Sequence, residues 1–392
     1  MTNKNHKFTN STYTTQLLKL TLTKTLLLFI LLITTKKCTS TSTNPKPFTK
    51  IYAFGDSYTD TGNTVSTTGP SGFNYVSSLP YGMTYFHHPT NRYSDGRLMI
   101  DFVAQYLSLP FLPPYRTALE GGPSGVNFAV AGATAIEHGF FVRNNLSFDI
   151  TPESIGSELG WFEKVVRKEG CVNDGLGECE ALFENALIWV GEIGANDYAY
   201  SVEGSVSQTS VQNLALRRVS SFLQAILKKG AKYVVVQGLP PTGCLTLAML
   251  LAPPDDRDEL GCVKSQNILS SKHNTLLQAE IQGLRRQFPK SVIVYADYYN
   301  AYRDIMKNRT KYGFKEAFKV CCGSGGGDFN YDFFSACGSA GSSSCSNPSQ
   351  YINWDGVHLT EGMYKILSEM MLEGGYSYPS FKDMVSKKVS LV

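Results

Sequence analysis

The sequence predicts an α/β fold built on a mostly parallel sheet. Five short apolar runs are separated by long stretches, two of which carry helical periodicity. The runs are near-continuously apolar, as strands covered on both faces are, with no strict alternation. They are Ile51–Phe54, Val126–Val130, Ala186–Val190, Lys232–Val236 and Val292–Ala296, each bounded by Gly, Pro or Asp. Between the third and fourth, Val211, Leu214, Val219, Phe222, Leu223, Ile226 and Leu227 fall on one helical stripe, and Gly230 supplies a stop. Ile268, Leu269, Leu276, Leu277, Ile281 and Leu284 predict a second helix before the fifth run. Residues 63–97 and 321–350 are rich in Gly and Ser and read as long loops over the sheet ends. With no internal repeat and no linker, residues 48–390 are expected to be one domain.

The first forty residues read as a secretory signal. Four lysines precede an eight-residue apolar run, Leu26 to Ile33, and no acidic residue occurs before Asp56. A span needs about 20 apolar residues, so the run is too short to cross a membrane. Cleavage near Ser40 would remove six of the 36 basic residues, leaving 30 against 33 acidic ones. That balance, with no basic block, excludes nucleic acid as a partner.

Cysteine usage agrees with export. Cys38 leaves with the signal, and eight cysteines remain, an even number in a chain expected to be oxidised. The pairs Cys171–Cys179 and Cys244–Cys262 are local, and Cys321 and Cys322 are expected to pair with Cys337 and Cys345. No C-x-x-C spacing and no nearby histidine favours a metal. Asn145-Leu146-Ser147 and Asn308-Arg309-Thr310 are glycosylation acceptors.

The first strand runs straight into Gly55-Asp56-Ser57, placing a serine hydroxyl at a strand end, where open α/β sheets bind ligands. A serine in a turn ordinarily bonds within the turn. Here Asp355-Gly356-Val357-His358 supplies what a nucleophile needs: a histidine base, with a carboxylate three residues earlier to hold its Nδ1–H. His87 and His88 sit in a loop, and His138 and His273 have no matching carboxylate. Donors for a developing oxyanion can come from Gly132, after the second strand, and from the Asn196 amide, after the third. The ordinary readings are a turn glycine and an Asx-turn.

These four segments, in this order, resemble the plant GDSL esterase/lipase family of the SGNH hydrolase superfamily: Gly-Asp-Ser57, Asn-Phe-Ala-Val-Ala-Gly132-Ala, Gly-Ala-Asn196-Asp and Asp355-Gly-Val-His358. The resemblance covers residues 50–372. It implies a flavodoxin-like three-layer α/β/α fold with a five-stranded, mostly parallel central sheet. It also implies ester hydrolysis through an acyl-Ser57, with Ser57, Asp355 and His358 catalytic and an oxyanion hole of Ser57 N–H, Gly132 N–H and the Asn196 side chain. Tyr58 departs from the family's leucine, which bears on the shape of the site. Ser94-Asp95-Gly96-Arg97 reads as loop and helix-start structure. No G-x-S-x-G, H-E-x-x-H or phosphate-loop pattern occurs, so no metal or other cofactor is expected. The expected partner is a small-molecule or lipid ester. Two other readings use the same residues: acyl transfer to an alcohol in place of water, and a non-catalytic binding protein on a hydrolase fold.

Overall fold

The computed structural model describes residues 46–69, 73–119, 121–146, 151–172, 176–202 and 204–390. The expected signal segment lies outside them. The central sheet contains β1 (Lys50–Phe54), β2 (Gly125–Asn127), β3 (Ala186–Val190), β4 (Tyr233–Gln237) and β5 (Val292–Ala296), parallel and in the order β2-β1-β3-β4-β5. A sixth strand, Ser377–Tyr378, adds antiparallel to β5. Two residues are too few to show a period, so the sequence did not reveal it.

β2 is shorter than its apolar run predicts, ending at Asn127 instead of Val130. Side chains take over there. Asn63 Nδ2 donates to the Asn127 and Ala129 carbonyls, and Asn127 Nδ2 donates to the Thr59 carbonyl. The backbone still bonds β1, through Phe128 N–H to Ala53 O and Val130 N–H to Gly55 O.

Alternation along each strand feeds two cores. Tyr52, Phe54, Ile188, Val190, Val234 and Val236 face helices Ile155–Lys168, Gln208–Lys228 and Lys264–Gln287. Ile51, Ala53, Leu187, Trp189, Val235 and Val294 face helices Met99–Tyr106, Tyr298–Lys307, Glu361–Leu372 and Phe381–Val389. The three layers expected are therefore present. In Lys264–Gln287, Leu277, Ile281 and Leu284 are buried, but Ile268 and Leu276 are exposed. The inward positions of its first half carry Asn267, Ser270, His273 and Asn274 instead. They serve loops at the strand ends: Asn274 accepts from Leu239 N–H and donates to Leu239 O, and Asn267 accepts from Gly243 N–H.

Four disulfides form: Cys171–Cys179, Cys244–Cys262, Cys321–Cys345 and Cys322–Cys337. The last two pin the 321–345 loop to the strand Tyr351–Asn353, because Cys321 and Cys322 N–H donate to Asn353 and Trp354 carbonyls. That strand leads directly into Asp355. Among the described residues no helix is long and apolar enough to cross a membrane.

Candidate active site

In the order β2-β1-β3-β4, the chain leaves β1 toward β2 and leaves β3 toward β4 on the opposite side, so the crevice between the carboxyl ends of β1 and β3 is the switch point where such sheets bind ligands. Ser57 follows β1, Gly132 follows β2 and Asn196 follows β3. The turn after β1 is held by Asp56, whose carbonyl accepts from Thr59 and Asp60 N–H and whose Oδ1 accepts from Tyr58 N–H. Asp60 ties this turn to the next loop by accepting from Gly62, Asn63, Thr64 and Ala131 N–H. Asp197 accepts from Ala135 and Ile136 N–H and anchors the other end of that loop.

The C-terminal turn brings Asp355 and His358 together. His358 Nδ1 lies 2.8 Å from Asp355 Oδ2 and 3.0 Å from Oδ1, and both side chains are buried. Val357 and His358 N–H also donate to Oδ1. Gly356 makes the turn possible at φ +104°, with the Tyr331 ring packed so closely that a Cβ would collide with it. Burial pushes the Asp355 carboxyl up. The charge and hydrogen bonds of His358, with one from Tyr81, outweigh it and hold the carboxyl below its ordinary value.

Ser57 is nearly buried, and its hydroxyl bonds no atom among the described residues, His358 included. Its neighbours reach the histidine turn. Tyr58 O–H donates to the Val357 carbonyl at 2.6 Å, and its ring lies 5.8 Å from the imidazole. The departure from leucine is thus absorbed: the Tyr58 ring is buried, and its hydroxyl joins the serine turn to the histidine turn. The Ser57 and Gly132 N–H groups form no hydrogen bond among the described residues, and Gly132 adopts φ +83°. The Asn196 amide differs: Nδ2 donates to Asp56 Oδ2 and to Ala133 O, both at 3.0 Å.

Sequence reasoning missed three contributors. Tyr81 O–H donates to Asp355 Oδ2 at 2.7 Å from full burial. The Tyr93 ring lies against the imidazole, 4.6 Å between centroids. Ser94-Asp95-Gly96-Arg97 is more than a helix start: Ser94 Oγ donates to Leu359 O, Asp95 accepts from Glu361 N–H, and Arg97 pairs with Glu361. The loop thus clamps the residues that follow His358. Replacing Tyr81 by Phe removes a donor to a buried carboxylate, worth about 1.5–3 kcal/mol. The expected result is a fall in kcat of about tenfold or more with KM little changed; an unchanged kcat would show that Asp355 does not rely on it.

Carboxyls crowd beneath this crevice. Burial raises Asp56 to about 6, Asp95 to about 6 and Asp197 to about 7. A carboxyl raised in the folded state binds protons more tightly than in the unfolded chain. Its contribution is full below the ordinary carboxylate range and is lost as pH rises through 6–7. The melting temperature is therefore expected to fall from pH 5 to pH 8, by on the order of 5 °C. A flat or rising profile over that interval would contradict this.

Among the described residues no group of three or more His, Cys, Asp or Glu is arranged to hold a metal ion. His273 is buried, its Nδ1 2.8 Å from the Tyr198 hydroxyl, and burial lowers it to about 4. Asn145 and Asn308 are both exposed; Ser147 lies outside the described residues.

Residues 51–371 match the GDSL-like lipase/acylhydrolase family. The chain belongs to that family. A GDSL esterase/lipase of Arabidopsis thaliana is 52% identical over 377 residues, covering 94% of this chain and 97% of that protein. Another from the same plant is 38% identical over 353 residues, covering 88% and 86%. Acetylajmalan esterase 2 of Rauvolfia serpentina is 38% identical over 332 residues, covering 83% and 90%. Membership makes this GDSL chain a carboxylic ester hydrolase acting on a small-molecule substrate.

Proposed function

We propose that this GDSL hydrolase is a secreted serine esterase that cleaves short acyl esters, acetyl esters among them, through an acyl-Ser57 intermediate. The observation that carries it is the buried Asp355–His358 pair, with the carboxylate on Nδ1 and the other ring nitrogen left for the serine. His358 Nε2 takes the Ser57 proton as Oγ bonds the ester carbonyl carbon. The oxyanion is met by the Ser57 and Gly132 N–H groups. Asn196 keeps one amide hydrogen on Asp56 and gives the other, now on Ala133 O, to the oxyanion. The C–O bond to the alcohol then breaks, and the alcohol leaves with the His358 proton. Water repeats the cycle: His358 takes its proton, hydroxide bonds the acyl carbon, and Ser57 leaves reprotonated with the acid released. The Ser57–His358 hydrogen bond closes when substrate enters; in unliganded sites such bonds are often long.

The acetyl reading is supported by the relative named acetylajmalan esterase 2. Secretion is supported by the four disulfides and the exposed glycosylation acceptors Asn145 and Asn308. The test is covalent. A p-nitrophenyl alkylphosphonate should inactivate the enzyme at one equivalent and leave the phosphonyl group on the Ser57 peptide. Label on another residue, or none, overturns the assignment.

A further inference from the structure

Two buried carboxyl groups meet behind the nucleophile, and the ester mechanism uses neither directly. Asp56 precedes Ser57 at the end of β1. Glu192 follows Gly191 at the end of β3, the neighbouring strand. Both are almost wholly inaccessible, and their side chains lie within hydrogen-bonding reach of each other. The other buried acids beneath the crevice have backbone donors: Asp60 has four, Asp197 has two, and Glu158 accepts from Gly55 N–H. Glu192 differs. Among the described residues, neither of its oxygens accepts a well-formed hydrogen bond from any N–H or O–H, and the Ala195 N–H lies near without completing one.

Two carboxylates in such contact cannot both be ionised, so the pair holds a proton. Its position follows from the donors. Asp56 accepts from Tyr58 N–H on one oxygen and from Asn196 Nδ2 on the other, as an anion does. Glu192 has no such donors and can satisfy an oxygen only by giving a proton. We propose that Glu192 is a positioning residue: as a neutral carboxylic acid it donates to Asp56, and so holds Asp56 as the carboxylate that aims the Asn196 amide at the oxyanion.

The electrostatics agree. Burial and then the Asp56 charge push Glu192 well above its ordinary value. The charged and titratable groups facing the pair are Asp60, Glu158, Asp197 and His358, with the buried hydroxyls of Tyr58, Tyr298 and Tyr364. His358 is the one base among them, and it is paired with Asp355. The arrangement explains how a site that must hold a negative charge tolerates an anion next to its nucleophile. That anion is spent on fixing a donor, and a second charge beside it is suppressed.

This inference rests on the serine esterase reading, with Asn196 as an oxyanion donor. The experiment is a double-mutant cycle on p-nitrophenyl acetate. Glu192→Ala should lower kcat about 10- to 100-fold with KM within about threefold. Glu192→Gln keeps an N–H donor toward Asp56 and should stay within about threefold of the parent. In an Asn196→Ala background, Glu192→Ala should cost less than about twofold, because the donor it positions is gone. Multiplicative losses, a Gln variant as impaired as the Ala variant, or an Ala variant with parental kcat would each overturn the proposal. Should Glu192→Ala not fold, Glu192→Gln decides alone. An amide cannot ionise, so its kcat should hold level to higher pH than the parent's; an identical alkaline limb overturns the role. Phosphonate labelling of Ser57 separates the two readings: label retained while Glu192→Ala keeps the parental kcat sinks only the positioning role.

Discussion

Replacing Ser57 by Ala should lower kcat on p-nitrophenyl acetate by about 10⁵- to 10⁶-fold, the scale seen when a serine nucleophile is removed from such a triad. The enzyme should remain folded. The Ser57 hydroxyl bonds nothing among the described residues, and the turn around it is held by the Asp56 carbonyl and carboxylate. Its truncation removes no cap, network member or packed methyl, so the stability change should stay within about 1 kcal/mol. The proposed oxyanion donors also survive, since the residue-57 N–H and Gly132 N–H belong to the backbone. A small rate above the uncatalysed one should persist from them. Both readouts matter together. A variant with parental melting temperature and no phosphonate label isolates the hydroxyl as the reacting group. Turnover within about a hundredfold of the parent would place the nucleophile elsewhere.

What could be read from the sequence was what strand period and short spacing encode. β1 and β3 are long enough, and apolar enough, to declare themselves, and each carries a block of the site, Ser57 and Asn196, just past its carboxyl end. Asp355 and His358 are three residues apart, so one turn of chain brings them together. The contributors that escaped notice act across distances that sequence spacing does not measure. Tyr81 and Asp355 are 274 positions apart, and Ser94 and Leu359 are 265 apart. Tyr81, Tyr93 and Tyr58 are three of 22 tyrosines, and nothing in composition marks which of them reach the turn that holds Asp355 and His358. Glu192 reads as an ordinary acid in a glycine-rich turn. Only the adjacency of β1 and β3 brings it to Asp56. The early end of β2 was illegible for a related reason: the Asn63 side chain, from a distant segment, takes up the Asn127 and Ala129 carbonyls.

The same dependence on distant segments explains why the histidine turn carries so many tethers. The Trp354 N–H donates to His358 O, closing the turn on itself. Leu247 N–H donates to Gly356 O, Tyr58 holds Val357, and the Ser94–Arg97 loop holds Leu359 and Glu361. Cys321 and Cys322, each in a disulfide, hold the strand before it. A base must meet its nucleophile within a few tenths of an ångström, and a short turn near the chain's end cannot keep that geometry unaided.

Asp355→Asn tests the electrostatic half of that geometry with the turn left standing. Oδ1 accepts from Val357 N–H and His358 N–H, so the amide must put its oxygen there; an NH₂ would face two donors. The NH₂ then occupies the Oδ2 position, facing Tyr81 O–H and His358 Nδ1. Tyr81 can rotate its hydroxyl to accept. His358 has no such freedom without changing tautomer: Nδ1 must become the acceptor, and the ring proton moves to Nε2. The nitrogen that should take the Ser57 proton is then already protonated. The expected loss is about 10⁴-fold in kcat, as found when a triad carboxylate becomes an amide, with melting temperature near the parent's at neutral pH. Nitrogen-15 shifts of the imidazole should report the proton on Nδ1 in the parent and on Nε2 in the variant. A variant that retains a tenth of parental kcat, or that keeps the parental tautomer, would mean that Asp355 shapes the turn and does not govern the base.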